Sequence, residues 1–346
     1  MHPGLALTLF ALASLGLFLI FRPRTGVFSR FLRMIRTSER VRLEDTLKHL
    51  LHCESMGISC TTDSVAGVLE ASRGRALQLL SQLDRMGLAR SEGVGHHLTD
   101  EGRSYALRLL RTHRLLERYL ADRTGVPAEE WHERAEREEH LLTEAETERL
   151  AARMGHPVYD PHGDPIPSAG GVLPPSVGIP LTGVESGSVV RVVHLEDEPR
   201  EAYDRLIARG LAPGMVLRVS EATPSMVRFI CEGRDVSLAA VLAANVEVVA
   251  EAGSATMPQE PSETLAGLAV GDEAVVVDIS PVCQGPQRRR LLDLGVIPGT
   301  TIRAVMTSAS GDPVAYEIRG ALIALRHQQA EWIRVKRSSG EQGEAA

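Results

Sequence analysis

The stretch WHERAEREEH at positions 131–140 concentrates histidines and glutamates within ten residues. If it is helical, His132, Glu136 and His140 follow one another at intervals of one turn, and Glu139 lies on the same face. Such a row of imidazole nitrogens and carboxylate oxygens is suited to Mn²⁺ or Fe²⁺. A solvated charged helix face has a similar composition, so the stretch alone leaves both interpretations open.

A second pair of donor residues precedes this stretch. His113 and Glu117 are one turn apart in YALRLLRTHRLLERYLADRTGV (105–126), whose apolar period indicates a long amphipathic helix. The segment TEAETERLAARMG (143–155) predicts a third helix. The sequence has no glycine-rich phosphate loop, nucleophile elbow or catalytic-triad order, so it does not indicate an enzyme.

Composition limits what these elements can do. The chain has 346 residues, 43% of them hydrophobic, which indicates several globular domains. A net charge of −7 gives no overall attraction to nucleic acid, so any DNA contact requires a local basic patch. The four cysteines are scattered and form no CxxC pair, so we expect reduced thiols and neither a disulfide framework nor a zinc site.

The N-terminus differs from the rest of the chain. Residues 4–21 are uncharged and mostly apolar, and as a helix they would rise about 27 Å, close to the thickness of a bilayer core. Arginines follow the run, so the sequence predicts a single-pass inner-membrane anchor with the bulk of the chain in the cytoplasm. A cleavable signal peptide, with its positive charge before the run, and a misassigned start codon are the alternatives.

A winged helix-turn-helix is predicted for residues 37–104. Helical periods at 41–57, 61–71 and 72–88 precede a glycine-containing hairpin, and the helix that begins near Arg73 is the one that would enter the major groove. A winged helix can also serve as a protein–protein module. The residues expected to face base edges, phosphates or the DNA backbone are Ser72, Arg73, Gly74, Arg75 and Gln78 on the helix, with Arg90 and His96 on the wing.

The run from residue 40 to residue 167 resembles the diphtheria-toxin-repressor family of iron- and manganese-dependent regulators. The segments that carry the resemblance are LLRTHRLLERYL, WHERAEREEHLL and HPVYDPHGDPIP. The last, with its Asp-Pro steps, is expected to be a rigid structural excursion. The resemblance implies a homodimer, held together by helices after the winged helix, that binds double-stranded palindromic operator DNA when a divalent metal is present.

Metal ligands follow from the resemblance position by position. It implies one site at Asp45, Glu136, Glu139 and His140, and a second metal position at His113 and Glu117, to which His132 is added. These hard donors suit Mn²⁺ or Fe²⁺. Lys48 departs from the family, because it stands where manganese sensors carry a second acid and an ammonium group cannot bind a cation; a two-metal cluster is therefore in doubt.

The C-terminal half contains an internal repeat. RLIARGLAPGMVLRV (205–219) recurs as RLLDLGVIPGTTIRA (290–304), offset by 85 residues, and short strands surround each copy. Both copies resemble the FeoA-type, SH3-like small barrel. The acidic segment EDEPREAY (196–203) offers Glu198 or Glu201 as a further metal ligand, but a barrel that only packs or binds a partner is the better-supported interpretation.

Together these observations predict an α+β multidomain chain. Its parts are a transmembrane helix at 1–24, a winged helix-turn-helix at 37–104, an all-α metal-binding and dimerisation domain at 105–168, and SH3-like β-barrels at 180–251 and 263–337. The predicted function is a membrane-anchored, Mn²⁺- or Fe²⁺-dependent DNA-binding regulator of metal homeostasis. The alternative is a membrane-tethered, metal-sensing adaptor that acts on a metal transporter through its barrels without binding DNA.

Overall fold

The structure is a computed structural model that describes residues 27–93, 95–175, 177–251 and 263–337, with side chains from Ser38 onward. Its N-terminal elements match the predicted order of three helices and a hairpin, followed by further helices. They are α1 (Val27–Ser55), α2 (Thr62–Val68), α3 (Arg73–Arg85), β1 (Ala89–Glu92), β2 (Gly95–Leu98), α4 (Asp100–Arg123), α5 (Trp131–Glu139) and α6 (Glu144–Arg153).

Local sequence explains where the winged-helix elements begin. The hydroxyl of Thr61 accepts the backbone N–H of Ser64 at the start of α2, and the hydroxyl of Ser72 accepts the N–H of Arg75 at the start of α3. The strands β1 and β2 form an antiparallel pair in which Ala89 lies opposite Leu98. The apolar faces of these elements share one core, whose fully buried members include Leu47, Leu50, Val65, Ala76 and Leu83.

Two six-stranded sheets form the C-terminal half. The first contains β3 (Ile179–Pro180), β4 (Val189–Leu195), β5 (Val216–Ala222), β6 (Met226–Cys231), β7 (Arg234–Ala239) and β8 (Val246–Ala250), in the order β3-β8-β4-β5-β6-β7, with the helices α7 (Arg200–Ala208) and α8 (Ala240–Ala243). The second contains β9 (Glu263–Thr264), β10 (Glu273–Ile279), β11 (Thr301–Thr307), β12 (Val314–Ile318), β13 (Ala321–Leu325) and β14 (Ile333–Arg337), with α9 (Gly285–Asp293) and α10 (His327–Glu331).

The two sheets repeat the same design. The second has the order β9-β14-β10-β11-β12-β13, which is the order of the first with each strand replaced by its counterpart. A register shift between Val219 and Glu221 in β5 recurs between Ala304 and Met306 in β11, again 85 residues later. Each sheet encloses its own apolar core, around Phe229 in one and around Tyr316 in the other. The repeat predicted from the sequence is thus confirmed as a repeat of structure.

The chain divides into two compact units. The first comprises the residues up to Thr112 together with Glu139–Glu144 and Pro167–Val172, and the second comprises the remainder. The predicted membrane span at 4–21 lies outside the described residues. Among the helices that are described, none is both long enough and apolar enough to cross a membrane.

Gly102, on the first turn of α4, lies against the chain that precedes β1. A Cβ atom at this position would stand 1.8 Å from the carbonyl oxygen of Leu88, which also accepts the N–H of Thr99. The hydroxyl of Thr99 in turn accepts the N–H of Gly102 as the cap of α4. Any side chain at position 102 would therefore displace the backbone that joins α4 to the hairpin.

We expect Gly102→Ala to lower the free energy of unfolding by about 1–3 kcal/mol, because the added methyl group overlaps backbone that cannot move independently. Urea denaturation of the full chain measures this loss. Gly67→Ala in α2 is the matched control, since nothing lies within 4 Å of a Cβ atom there. Equal loss of stability in the two variants would contradict the proposed overlap.

Candidate metal centres

The first centre consists of Asp45 on α1, Glu139 at the end of α5, and His140. The Nε2 atom of His140 lies 3.3 Å from Oδ1 of Asp45 and 3.5 Å from Oε1 of Glu139. One donor atom from each of the three residues falls within a span of 4.8 Å. Glu139 and His140 are buried and Asp45 is half-buried, so the group opens to solvent on the side of Asp45.

Glu44 orients the imidazole of His140. The Nδ1 atom of His140 lies 2.6 Å from Oε2 of Glu44, whose other oxygen accepts the hydroxyl of Tyr105 and, at 2.7 Å, Nε of Arg40. Burial would raise the pKa of Glu44, but the hydrogen bonds from His140, Tyr105 and Arg40 lower it, so Glu44 is a carboxylate. It holds Nδ1 protonated and directs Nε2 towards Asp45 and Glu139, as outer carboxylates do for metal-binding histidines.

The chemistry of this group fits a divalent cation. Nε2 of His140 is buried and forms no hydrogen bond of good geometry with any described residue. Burial would lower the pKa of His140, but Asp45, Glu44 and Glu139 raise it from 6.5 to about 9. The acids around the ring thus favour positive charge at this position, and a divalent cation would supply more of it than a proton does.

Lys48 supplies a second positive charge to this centre. Its Nζ atom lies 2.8 Å from Oε1 of Glu139, a carboxylate whose side chain is 0% exposed. The ammonium group therefore occupies the space where the resemblance would place a second acid. Its position gives a structural reason against a two-metal cluster at this centre.

Glu136 is the one predicted ligand of the first site that the structure does not place in this group. Its side chain is exposed on α5, and Glu136 belongs to the second compact unit, whereas the three grouped residues belong to the first. Its role as a ligand stays a prediction.

The second centre lies in the second unit and gathers His113 and Glu117 of α4 with His132 of α5. The Nε2 atom of His113 is 3.0 Å from Oε1 of Glu117 and 3.3 Å from Nδ1 of His132, and His132 Nδ1 is 3.1 Å from the same carboxylate oxygen. The sequence predicted these three residues as a set, and the structure brings them together. Their role as metal ligands stays a prediction.

Two further residues extend the second centre. Oδ2 of Asp197, in the loop after β4, lies 3.0 Å from Nδ1 of His132, and Nε2 of His162 lies 3.8 Å from Oε1 of Glu117. Both ring nitrogens of His162 are buried without a hydrogen-bond partner in the described ranges. The ring of His162 is flanked at 5.9 Å by Trp131 and at 5.0 Å by Tyr203.

Glu117 is the electrostatic focus of the second centre. Burial would raise its pKa, but His113, His132 and His162 hold it well below the usual value. Burial would likewise lower the pKa of His132, yet hydrogen bonds to Asp197 and Glu117 raise it to about 11. In both centres, the raised pKa of an imidazole reflects the negative charge of the carboxylates beside it.

No sequence pattern pointed to Glu44, His162 or Asp197. The acidic segment suggested Glu198 and Glu201 instead. Glu198 is 3.7 Å from Nε2 of His132 with a side chain that is 70% exposed, and Glu201 is exposed at the start of α7.

The segment that carries His162 lies directly on β4. The backbone oxygen of His162 accepts the N–H of Leu195, and a Cβ atom on Gly163 (φ +101°) would stand 1.9 Å from the oxygen of Val193. The predicted structural role of HPVYDPHGDPIP is therefore incomplete, because the segment also delivers an imidazole to the second centre.

The residues predicted to contact DNA lie on α3, at its start, or on the β1–β2 hairpin, and their contact with DNA stays a prediction. Ser72 caps α3, and the Arg75 side chain contacts Glu39 and, at 3.3 Å, Gln78. Arg73 pairs with Asp63 at 3.2 Å, and Arg90 with Glu92 at 3.8 Å. His96 lies within hydrogen-bond distance of Thr62 and Ser91. Gly74 is exposed, with room around it. Each of these three arginines therefore contacts an acidic side chain, and a DNA phosphate would have to displace that side chain in order to bind the arginine.

Comparison with known proteins agrees with both parts of the fold. Residues 99–168 match the metal-binding and dimerisation domain of iron-dependent repressors, and residues 179–250 and 263–337 match the FeoA domain. The chain is 33% identical to the iron-dependent repressor of Mycobacterium leprae over 206 residues, which are 55% of this chain and 88% of that protein. The iron-dependent repressor of Mycobacterium tuberculosis is 35% identical over 150 residues, 43% of this chain and 64% of that protein.

Solved structures of metal-dependent repressors also resemble this chain. A manganese-dependent transcriptional repressor in complex with manganese superimposes with a TM-score of 0.55 at 28% identity, over 60% of this chain and 100% of that chain. The resemblance drawn from residues 40–167 and from the two barrel segments is thereby confirmed. That these relatives are repressors also favours the expectation that the chain is not an enzyme.

The comparisons overturn the predicted location. A single-pass position in the inner membrane is wrong, because the matching relatives are iron- and manganese-dependent repressors and no helix in the described ranges is suited to cross a membrane. The membrane and a metal transporter as partners, and the tethered adaptor as an alternative function, find no support.

Substitution of Glu44 tests the orientation of His140. We expect Glu44→Gln to weaken Mn²⁺ binding at the first centre about 10–100-fold, because the amide no longer fixes the tautomer and orientation of the imidazole. Calorimetric titration measures this in a His132→Ala background that disables the second centre. Glu138→Gln, an exposed residue of α5, is the control. Unchanged affinity in Glu44→Gln would show that His140 needs no outer carboxylate.

Substitution of Lys48 should change metal affinity in the opposite direction. We expect Lys48→Met to raise Mn²⁺ affinity at the first centre at least about tenfold, because removal of the ammonium group abolishes its repulsion of the cation. The melting temperature of the metal-free chain should fall, since buried Glu139 loses this ion pair. Lys336, exposed on β14, is the chain's only other lysine and gives the matched Lys→Met control. Weaker Mn²⁺ binding in Lys48→Met would mean that Lys48 assists the site.

Proposed function

The chain belongs to the family of iron-dependent repressors, and from that premise we propose that it is a metal-dependent transcriptional repressor that binds operator DNA as a homodimer when Mn²⁺ or Fe²⁺ occupies its centres. The observation that carries the proposal is the first centre. This centre brings Asp45 on α1, the first helix of the winged-helix core, close to Glu139 and His140, which lie outside that core. Occupancy of the centre therefore bears directly on the elements that would read DNA.

Asp45, Glu139 and His140 would hold the ion of the first centre, and Glu136 stays a proposed addition to this set. When bound, the cation supplies positive charge to acids that otherwise depend on the His140 proton and on Lys48. Glu44 and Tyr105 keep the imidazole in position, so little reorganisation accompanies loading. Because the imidazolium proton of His140 would have to leave to solvent, we infer that metal affinity increases with pH as His140 deprotonates.

The binding energy acts through α1. Leu47 and Leu50 of α1 lie in the same core as Ala76 and Leu83 of α3, so a constraint on α1 reaches the helix with the DNA-facing residues through packed side chains. We propose that the loaded centre favours the arrangement of α1 and α3 that fits an operator. The shift in population is limited by the difference in metal affinity between the two arrangements.

The second centre, in this proposal, holds an ion between helices and the first barrel. His113 and Glu117 come from α4, His132 from α5, and Asp197 from the loop that follows β4. The first FeoA-type barrel would thus contribute a ligand directly, and His162 would add an imidazole to the same centre. Metal at this position would stabilise the helical region that the family comparison identifies as the dimerisation domain.

A DNA-binding assay with the full chain tests the proposal. We expect Mn²⁺, or Fe²⁺ under anaerobic conditions, to produce a mobility shift with promoter DNA from the protein's own locus at one fixed salt concentration, and a chelator to abolish it. His140→Ala should remove the metal dependence. Arg75→Ala should weaken the shift while metal binding, measured by calorimetry, is retained.

Arg149→Ala is the control for charge, since Arg149 is a partly exposed arginine on α6, outside the predicted DNA-facing set. Its shift should equal that of the unchanged chain. Tight metal binding by the unchanged chain with no shift under any metal would refute the repressor function.

A further inference from the structure

Two of the four cysteines lie beside an imidazole in the core of the winged helix. The Sγ atom of Cys53 is 3.6 Å from Nε2 of His49, one turn earlier on α1. Cys60, in the loop before α2, completes a group whose donor atoms all lie within 4.8 Å of one another. Cys53 and Cys60 are free thiols, each 1% exposed.

A hydroxyl adjoins this group. The Oγ atom of Ser64 lies 3.1 Å from Nε2 of His49 and 3.6 Å from Sγ of Cys60. Thr61 fixes its position, because the Thr61 N–H donates to Oγ at 3.1 Å and the hydroxyl donates to the Thr61 carbonyl at 2.9 Å. One pair of residues, His49 and Cys53 of α1, therefore faces a second pair, Cys60 and Ser64 around the start of α2, across one small space.

We propose that His49, Cys53 and Cys60 form a binding site for a thiophilic metal ion of the Zn²⁺ class, with Ser64 beside the fourth position. Zinc–sulfur and zinc–nitrogen bonds in a tetrahedral site separate the donor atoms by about 3.3–3.8 Å. The measured separation of 3.6 Å between Cys53 and His49 falls within that range. Small movements of the remaining donor atoms suffice to close the site around an ion.

Charge balance favours such an ion in these surroundings. As Zn²⁺ binds, the two thiols release their protons to solvent, and two thiolates then neutralise the dication. The resulting site has no net charge, which suits a position beside Leu50 and Val65 in the apolar core. Burial raises the pKa of the Cys60 thiol to about 12 and lowers that of His49, so the surroundings of these two residues disfavour isolated charge.

The donor set separates this site from the two carboxylate centres. Those centres offer only oxygen and imidazole donors, whereas thiolates select softer ions. His49 and Ser64 are half-buried, so the site has a route to solvent on their side. The carbonyl of Cys60 accepts the N–H of His96 at 2.9 Å, so a bound ion would connect α1 to α2 and to the wing.

The proposal departs from the expectation that the cysteines form no zinc site. Cys53 and Cys60 are separated by six residues and belong to no CxxC pair, so their spacing gave no signal. Their proximity arises from the turn between α1 and α2. The competing interpretation is that both thiols only fill the apolar core, in which case they bind no ion.

Cobalt is a suitable probe, because Co²⁺ bound to thiolates absorbs in the near-ultraviolet and visible regions. We expect the reduced, chelator-treated full chain to develop a thiolate–cobalt band that Zn²⁺ displaces. Cys53→Ser/Cys60→Ser should lose the band and weaken Zn²⁺ binding at this site by more than about 100-fold. Cys231→Ser/Cys283→Ser, which removes the other two buried thiols, is the matched control and should keep the band.

No thiolate band in the unchanged chain, or a band that persists in Cys53→Ser/Cys60→Ser, would overturn the proposal. Circular dichroism establishes whether that double variant folds. If it does not fold, His49→Gln takes its place, because His49 is half-buried and this change keeps both thiols. His49→Gln should shift the band and weaken Zn²⁺ binding. An unaltered cobalt spectrum in His49→Gln would exclude His49 as a ligand and refute the site. His140→Ala should leave the band unchanged, which separates this site from the first carboxylate centre.

Discussion

The structure depends on compensation of carboxylates that are buried almost completely. Glu44 and Glu117 are each 1% exposed, as is Glu139. An unpaired carboxylate in such a position would destabilise the fold by several kcal/mol. Each of the three faces at least one imidazole, and Glu139 also faces the ammonium group of Lys48. The charge of these buried carboxylates is therefore balanced by neighbouring side chains, and the proposed sites would not need an ion in order to form.

This balance makes proton and metal alternatives to each other. Within the two centres, the pKa values of His132 and His140 are raised, and both residues face the acids that would bind the ion. A metal ion entering either centre would exchange with a proton rather than fill an uncharged space. Under the proposed function, each centre would keep a charge partner in both states, whereas a zinc finger unfolds when its ion leaves.

Sequence periodicity was sufficient to predict the helices and strands and the residues with metal-binding side chains that lie close together on one helix. His113 and Glu117 are one turn apart on one helix, so their proximity followed from the period alone, and the 85-residue repeat predicted two barrels of equal topology. Glu44, His162 and Asp197 could not be found in this way. Glu44 meets His140 across 96 positions, and Asp197 reaches His132 only because β4 carries its loop there. Such contacts depend on tertiary packing, which a single sequence does not display.

The ion pair between Lys48 and Glu139 has a consequence for the concentration range in which the protein would respond. A tethered ammonium group is present at every metal concentration, so it acts as a constant competitor for the charge of Glu139. Each tenfold reduction in affinity raises the free-metal concentration needed for half occupancy by the same factor, equivalent to about 1.4 kcal/mol. Under the proposed function, one side chain on α1 would set a detection threshold, and substitution at position 48 would change that threshold without altering the residues predicted to face DNA.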